Sequence, residues 1–246
     1  MSLFRNTRTV AYRFGDEQSF SLFPNITSYV DLLDQLKDQV TLYEKVTIQE
    51  GERPDQLSAR LYRGNPTYHW TFFLVNDHLR EQGWPVSETA IRELATKRYP
   101  HWTVTTKTNF SVFSKFLPGD PVEGLTSGST GVVVERNLDL GQIVIQSADN
   151  FNAEIIVSGT TAEEKNINRI TTVADSPRQY NAVHHYKNSD GVIVDIDPFT
   201  QNTSGLTPVT YLDRLMETNA DLKHITVIKP KNINSVVTEY YKKLAQ

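Results

Sequence analysis

The sequence of 246 residues contains no cysteine. Disulfide bonds, thiolate nucleophiles and cysteine-ligated metals are therefore excluded. This absence fits a reducing compartment, or a particle that is assembled in one. Eleven Phe, eleven Tyr and three Trp residues supply the bulk from which a hydrophobic core can be built instead.

Long apolar runs are also missing, the best being residues 72–75 and 132–134. A membrane helix needs about 20 such residues. The N-terminal stretch MSLFRNTRTVAYRFGD has no continuous apolar segment after its basic residues, so no signal peptide is predicted. We therefore expect a soluble protein that is made without export and has no membrane partner.

The chain has no excess of positive charge, because 25 Lys and Arg residues are outnumbered by 29 Asp and Glu residues and the net charge is −4. No global field exists to attract DNA, RNA or anionic lipid. Lys229, Lys231, Lys242 and Lys243 are scattered near the C-terminus, and Glu239 lies among them. The sequence predicts no nucleic-acid partner.

The signatures of two common hydrolase chemistries, Gly-x-Ser-x-Gly and His-Glu-x-x-His, do not occur. Glu50 and Glu52 flank a turn, and Asp55 falls in the first turn of a predicted helix, where the helix dipole stabilises a carboxylate. As a glycosidase pair they would need a cleft that the sequence does not display. We therefore predict no enzyme, no catalytic residue, no cofactor and no metal site.

His184 and His185 are adjacent on a predicted strand, so we expect their side chains to point to opposite faces. Two such histidines cannot bind one metal ion. Asp190, Asp195 and Asp197 follow, and with His185 they are an alternative cation site. A solvated strand end is the preferred interpretation.

The sequence of residues 126–131 resembles the phosphate loop of adenylate-forming enzymes. In that loop, backbone N–H groups and hydroxyls bind ATP phosphates. Those enzymes continue with Pro-Lys-Gly, whereas Val132-Val133-Val134-Glu135 follows here. We interpret the segment as a turn between strands.

The first 27 residues mix aromatic and polar side chains without a sustained period. Phe14, Phe20 and Phe23 would be exposed in a free segment, so we expect it to lie along another surface, of this protein or of a partner. Apolar spacings of three and four predict a short helix over residues 28–40.

Three further parts are predicted. Residues 41–112 contain a strand at 43–48, a helix from Pro54 that Gly64 ends, a helix after Asn65-Pro66, and another after Ser87. Short β runs at 131–135, 142–146 and 153–157 predict a small inserted antiparallel barrel or sandwich over 113–165. Residues 166–246 form a mixed α/β part with a hairpin over 184–195, helices at 209–220 and 233–244, and a strand at 224–228. The predicted class is α+β.

The stretch from Val46 to Asp77 resembles a LysM module, a family with the order strand, Gly turn, short helix, Tyr-Gly break, Trp-bearing helix and Asn. The matching residues are Gly51, Leu57, Leu61, Tyr62, Gly64, Trp70 and Asn76. The chain is also similar to the LysM-containing baseplate wedge subunit of T4-like contractile-tailed phages. This closer resemblance rests on Gly83-Trp84-Pro85, the helix ending at Pro100 and the pattern of residues 210–241. The resemblance covers residues 41–112 well and 206–246 moderately, and 113–165 lie outside it.

The resemblance implies a non-enzymatic subunit of a phage tail baseplate, located in the virion and assembled in the host cytoplasm. Its implied partners are other wedge subunits, neighbouring wedges and a sheath-initiator-like inner baseplate protein, with several copies in a sixfold baseplate. The alternative is a LysM-type protein of a cell-wall-acting tail component that binds peptidoglycan or chitin oligosaccharides. Glycan-binding LysM domains continue after the Asn with a second strand, whereas this chain gives Gly83-Trp84-Pro85 and a helix. The interface candidates are Phe14, Phe20, Phe23, Trp84 and Tyr240.

Overall fold

The structure is a computed structural model that describes residues 9–15, 18–24, 40–106, 115–197, 200 and 202–245. Within this part of the chain there are thirteen strands: β1 (Thr9–Tyr12), β2 (Ser21–Pro24), β3 (Tyr43–Thr47), β4 (Trp102–Thr105), β5 (Pro121–Gly124), β6 (Thr130–Asn137), β7 (Gln142–Gln146), β8 (Ile155–Ser158), β9 (Arg169–Thr171), β10 (Val183–Lys187), β11 (Ile193–Val194), β12 (Thr207–Thr210) and β13 (His224–Ile228). The seven α-helices are α1 (Pro54–Leu61), α2 (Trp70–Val75), α3 (Asp77–Gln82), α4 (Glu88–Arg98), α5 (Ala162–Ile167), α6 (Tyr211–Leu222) and α7 (Ile233–Ala245).

The strands form several small antiparallel sheets beside these helices, which confirms the α+β class. The chain divides into two units: unit 1 comprises residues 1–87 and 218–246, and unit 2 comprises residues 88–217. The predicted helix over 28–40 lies outside the described residues except at Val40, which begins a 3-10 turn ending at Leu42.

Unit 1 is organised around β3 and β13, which pair antiparallel from Tyr43 opposite Ile228 to Thr47 opposite His224. Helices α1 and α2 follow β3 directly, so the order of the paired elements is β-α-α-β with unit 2 inserted before the last strand. The core of this unit comprises Ile48, Leu57, Tyr62, Phe72, Leu79, Leu222, Ile225, Val227, Ile228, Ile233 and Val236. A second cluster consists of Trp70, Leu74 and Tyr240.

Local sequence signals explain how the two helices of this module begin and end. Pro54 occupies the first turn of α1, where its missing N–H is not needed. Gly64 follows the helix with φ +84°, the left-handed conformation predicted for it. Asn65 Oδ1 then accepts from the Thr67 N–H at 2.9 Å and starts the 3-10 turn that leads into α2.

Asn76 and Tyr62 hold β13 by hydrogen bonds on the edge that β3 does not cover. Asn76 is 4% exposed; its Nδ2 donates to the Thr226 carbonyl at 2.7 Å, and its Oδ1 accepts from the Thr226 N–H at 2.8 Å. The Tyr62 hydroxyl donates to the buried Ile228 carbonyl at 2.9 Å. Both side chains therefore satisfy backbone groups that would otherwise be buried without a hydrogen bond.

Unit 2 contains a six-stranded sheet in the order β4-β7-β6-β5-β8-β9. All six strands contribute to one core, which comprises Val104, Val122, Val133, Ile143, Ile145, Ile156 and Ile170 with Phe116 and Phe151. The sheet is strongly curved, because its two edge strands share this core. The prediction was a barrel or a sandwich, and the barrel is wrong, because β4 and β9 are not paired as neighbouring strands of a closed ladder. The chain after β9 is joined to the β4 region by the isolated bridges Trp102–Arg178 and Thr106–Thr172 and by single backbone hydrogen bonds such as Val173 N–H to the Thr105 carbonyl at 2.9 Å. The predicted start at residue 113 falls inside this sheet, since β4 precedes it.

Unit 2 also contains a three-stranded sheet in the order β11-β10-β12, helices α4 and α5, and helix α6 as far as Glu217. The predicted hairpin over 184–195 is confirmed as β10 and β11. Ile91 and Ala95 of α4 pack against Leu212 of α6, while Leu94 is 47% exposed. Ala95 follows Leu94 directly, and the rotation of about 100° per residue places the two side chains on different sides of the helix. The sequence pattern had placed Ala90, Ile91 and Leu94 together on the apolar face.

Candidate interface

The hairpin of β1 and β2 presents a cluster of exposed aromatic side chains. Val10 lies opposite Phe23 and Tyr12 lies opposite Ser21, so these residues share one face of the ribbon. Phe14 joins them, with its ring 4.9 Å from Tyr12 and 5.7 Å from Phe23, both edge to face. We call Val10, Tyr12, Phe14 and Phe23 the hairpin face.

The hairpin face is open to solvent. Phe14 is 50% exposed and Phe23 is 45% exposed, and Phe20 beside the face reaches 65%. None of these residues belongs to a hydrophobic cluster of the described chain. A two-stranded hairpin is at best marginally stable alone in water, and an exposed aromatic cluster marks an interaction site. Sequence analysis predicted that Phe14, Phe20 and Phe23 lie along another surface, and in this structure no surface of the described residues covers them.

Trp84, also predicted as an interface anchor, is instead packed against the core of unit 1. Its ring lies 6.0 Å from Phe72 and 5.7 Å from Phe73. Its Nε1 donates to the Glu52 carbonyl at 2.7 Å. With one edge packed and its only donor used, Trp84 fixes the loop after α3 onto the module.

Tyr240 is 1% exposed and lies in the cluster with Trp70 and Leu74. Its ring is 5.2 Å from that of Trp70. A partner cannot reach this side chain without displacing α7, so Tyr240 is a core residue of the chain in this structure. Helical spacing places Tyr240 one turn after Val236, another core residue, and that period was a signal for burial.

The carboxylates near α1 are held in ion pairs. Arg60 donates to both oxygens of Glu52 at 2.7 and 2.9 Å, and Lys223 Nζ lies 2.6 Å from Glu50. Arg53 pairs with Asp55 at 2.6 Å. Burial raises the pKa of Glu52, but the bonds from Arg60 and the Gln49 N–H outweigh it and leave that pKa lowered. Each carboxylate is paired with a basic side chain, which suits a structural role.

The Ser-Gly segment over 126–131 binds a carboxylate of its own chain. Glu154, 4% exposed, accepts from the N–H groups of Thr126 and Ser127 at 2.5 and 2.9 Å and from the Ser127 hydroxyl at 2.6 Å. A Cβ on Gly124 would lie 2.5 Å from Glu154 Oε1. Burial raises the pKa of Glu154, yet these hydrogen bonds leave it lowered overall. The donors that a phosphate would need are already used.

The two adjacent histidines depart from the predicted geometry. The ladder between β10 and β12 shifts register between Val183 and His185. This irregularity turns both imidazoles to one side, and their Nδ1 atoms lie 2.9 Å apart. The expectation that they point to opposite faces is therefore wrong. Among the described residues no group of three acidic or histidine side chains is arranged to hold a metal ion.

An open groove of about 500 Å³ runs along β3 and β13. It is lined by Lys45, Val46, Thr47, His224, Ile225 and Thr226. No aromatic side chain contributes to this lining, so the groove lacks the flat apolar surface on which a sugar ring would stack.

No sequence model of a known protein family matches the chain, and the curated proteins contain no match to it. In the part of the chain that the structure describes, no helix has the length and apolar character required to cross a bilayer.

Proposed function

We propose that this chain is a structural baseplate wedge protein of a contractile phage tail, and that it joins wedge subunits and neighbouring wedges by protein contacts. The observation that carries this proposal is the hairpin face together with Phe20. Four exposed aromatic side chains lie on a ribbon that is too small to be stable alone. A protein partner that covers them would gain roughly 1.5–3 kcal/mol for each side chain fully removed from water.

The β-α-α-β order of unit 1 supports the LysM part of the proposal. In the LysM order, a strand and two helices precede the Asn, and a second strand completes the module. Here the second strand is β13, which is 150 residues beyond Asn76 and is fastened by it. Unit 2, residues 88–217, is inserted between the Asn and this second strand.

The polar groups considered for catalysis or phosphate binding form hydrogen bonds and ion pairs within the chain. The Ser-Gly segment binds Glu154, and the carboxylates near α1 are paired with Arg53, Arg60 and Lys223. This arrangement supports a subunit that acts by binding rather than by catalysis. The proposed partners are other wedge subunits, neighbouring wedges and the inner baseplate protein at which sheath growth starts.

The proposal is tested by deleting the gene from the phage that carries it and imaging lysates by negative-stain electron microscopy. We expect tails without baseplates, or free partial wedges, with wild-type particles restored by the gene supplied in trans. Normal particles that fail to infect would contradict an assembly role.

The second candidate is a LysM-type protein that binds peptidoglycan or chitin oligosaccharides, and the β-α-α-β order favours it equally. Sedimentation with insoluble peptidoglycan and titration with chitin oligomers distinguish the two. Saturable binding would favour the second candidate. The baseplate proposal expects none, in line with the groove beside β3, which lacks aromatic side chains.

A further inference from the structure

His184 and His185 form a compact cluster with helix α6. Their rings are perpendicular at 89°, with centroids 5.1 Å apart. Arg214 Nη1 lies 3.0 Å from His184 Nε2, and the Tyr211 ring contacts the His184 ring edge to face at 4.8 Å. Strand β10 and helix α6 are thus connected through one imidazole.

With both imidazoles neutral, these contacts assign one tautomer to each ring. A guanidinium has no acceptor, so His184 Nε2 accepts from Arg214 and carries no proton. The proton of neutral His184 is therefore on Nδ1, which donates to His185 Nδ1 at 2.9 Å. His185 must then carry its own proton on Nε2. That atom is buried and has no hydrogen-bond partner among the described residues.

The remaining charges around the cluster are few. Glu217 of α6 and Lys187 of β10 form an ion pair at 2.6 Å, and at His185 the effect of Lys187 exceeds that of Glu217. Strand β12 places Val209 opposite His185 and brings no charged side chain there. Glu135 of β6 helps to raise the pKa of Tyr211, after the larger effect of burial. The positive charge that most disfavours an imidazolium is Arg214 at His184 and Lys187 at His185.

A proton on either ring breaks the arrangement. On His184 Nε2 it would place an N–H⁺ against the Arg214 guanidinium, and on His185 Nδ1 it would place two N–H groups against each other. Burial lowers the pKa of His184, and Arg214 and His185 lower it further. Burial also lowers the pKa of His185, with Lys187 adding to the effect.

We propose that His184, His185 and Arg214 form an acid-sensitive latch, which holds α6 on β10 while both imidazoles are neutral and releases it when either is protonated. The sign follows from linkage: the folded imidazoles take up protons less readily than unfolded ones. The stabilisation is complete above the ordinary histidine pKa of about 6.5 and is lost as the pH falls below it. The latch is independent of the proposed assembly role.

The tautomers are tested in the wild-type protein by long-range ¹H–¹⁵N correlation spectra of the imidazoles at pH 7.5. We expect the Nδ1–H form for His184 and the Nε2–H form for His185. A charged ring, or the opposite tautomer on either residue, would overturn the proposal. This measurement needs no variant and so does not depend on the folding of one.

Release is tested by hydrogen exchange of the amides of residues 211–217, corrected for the intrinsic effect of pH. We expect protection to fall at least about tenfold between pH 7 and pH 5, since each extra proton bound on opening contributes up to tenfold per pH unit. His185→Asn retains an acceptor near the Nδ1 position but cannot be protonated, and it should reduce this loss. His101→Gln in the same unit is the matched control and should not change it. Protection in the wild type that is independent of pH, or an equal loss in His185→Asn, would refute the latch.

Discussion

Phe72 and Phe20 are the same residue type in the same unit, yet Phe72 is fully buried and Phe20 is 65% exposed. Phe72 lies on α2 among the side chains of the module core, with Tyr62 stacked beside it at 6.1 Å. Phe20 adjoins a two-stranded ribbon that contributes to none of the described hydrophobic clusters. Burial of Phe72 stabilises the fold, whereas the exposed ring of Phe20 can be covered by a partner.

The contrast shows that the number of aromatic residues in a segment does not by itself indicate how much that segment stabilises the fold. In the module, each bulky side chain replaces water with close-packed neighbours. On the hairpin face, Tyr12, Phe14 and Phe23 contact one another but leave much of their area in water. Their contribution to free energy is realised only when another surface covers them. The following predictions test the difference between the module core and the hairpin, beginning with the largest expected change in stability.

Phe72→Ala should lower the free energy of unfolding of unit 1 by about 3–5 kcal/mol, because it leaves a cavity in the module core. Phe20→Ala is the matched change on the hairpin and should alter it by less than about 0.5 kcal/mol. Urea unfolding in a Trp102→Phe background measures both, since the remaining tryptophans, Trp70 and Trp84, lie in unit 1. Equal losses of unfolding free energy in Phe72→Ala and Phe20→Ala would show that the hairpin ring stabilises the chain as much as the core ring does.

Trp84→Ala should cost about 2–3 kcal/mol of stability, less than a fully buried tryptophan, because the ring is only partly covered. Trp84→Phe keeps most of the packing and loses the bond to the Glu52 carbonyl, at a cost of about 1 kcal/mol. Thermal unfolding followed by circular dichroism compares the two. An unchanged melting temperature in Trp84→Ala would return Trp84 to the set of interface residues.

Asn76→Ala should destabilise unit 1 by about 1–3 kcal/mol, because it leaves buried backbone groups of Thr226 without partners. Asn219 binds the N–H and carbonyl of Val86 in the same bidentate way and is the matched comparison. Asn76 also donates to the Phe72 carbonyl, so its loss should cost more than that of Asn219. Urea unfolding would contradict this account if Asn219→Ala were the more damaging change.

Replacing Phe14, Phe20 and Phe23 together by Thr should change the stability of the isolated chain least, by less than about 1 kcal/mol. Threonine retains strand propensity, so the ribbon keeps its backbone preference while the aromatic surface is removed. Circular dichroism melting measures the change. A loss similar to that of Phe72→Ala would mean that the hairpin contributes to the core after all.

Much of unit 1 could be predicted because its signals are local. Pro54, Gly64 and Asn65-Pro66 mark helix ends within a few residues of where the structure has them. The strand at 224–228 and the helix from Ile233 were predicted with nearly the observed bounds. Short-range backbone preferences determine such elements, so a single sequence displays them.

The remaining features depend on pairings between distant residues. Thr47 and His224 are neighbours in one sheet although 177 positions separate them, and no local pattern specifies that register. The irregularity that brings His184 beside His185 is likewise set by the partner strand β12. Glu154 gave no signal of its role, because its donors are in a turn 27 residues earlier. The aromatic content of the N-terminal segment led to the prediction of an interface, whereas the pairing of β1 with β2 was not predicted.

The central claim is that the exposed hairpin aromatics join this subunit to its neighbours in the baseplate. Its most direct test is complementation of the gene-deleted phage with the Phe14, Phe20 and Phe23→Thr variant, scored by negative-stain electron microscopy. Wild-type gene and Asn219→Ala serve as controls for expression and for modest destabilisation. We predict tails without complete baseplates from the triple variant, although its chain is folded, and complete baseplates from both controls. Complete baseplates from the triple variant would contradict the claim.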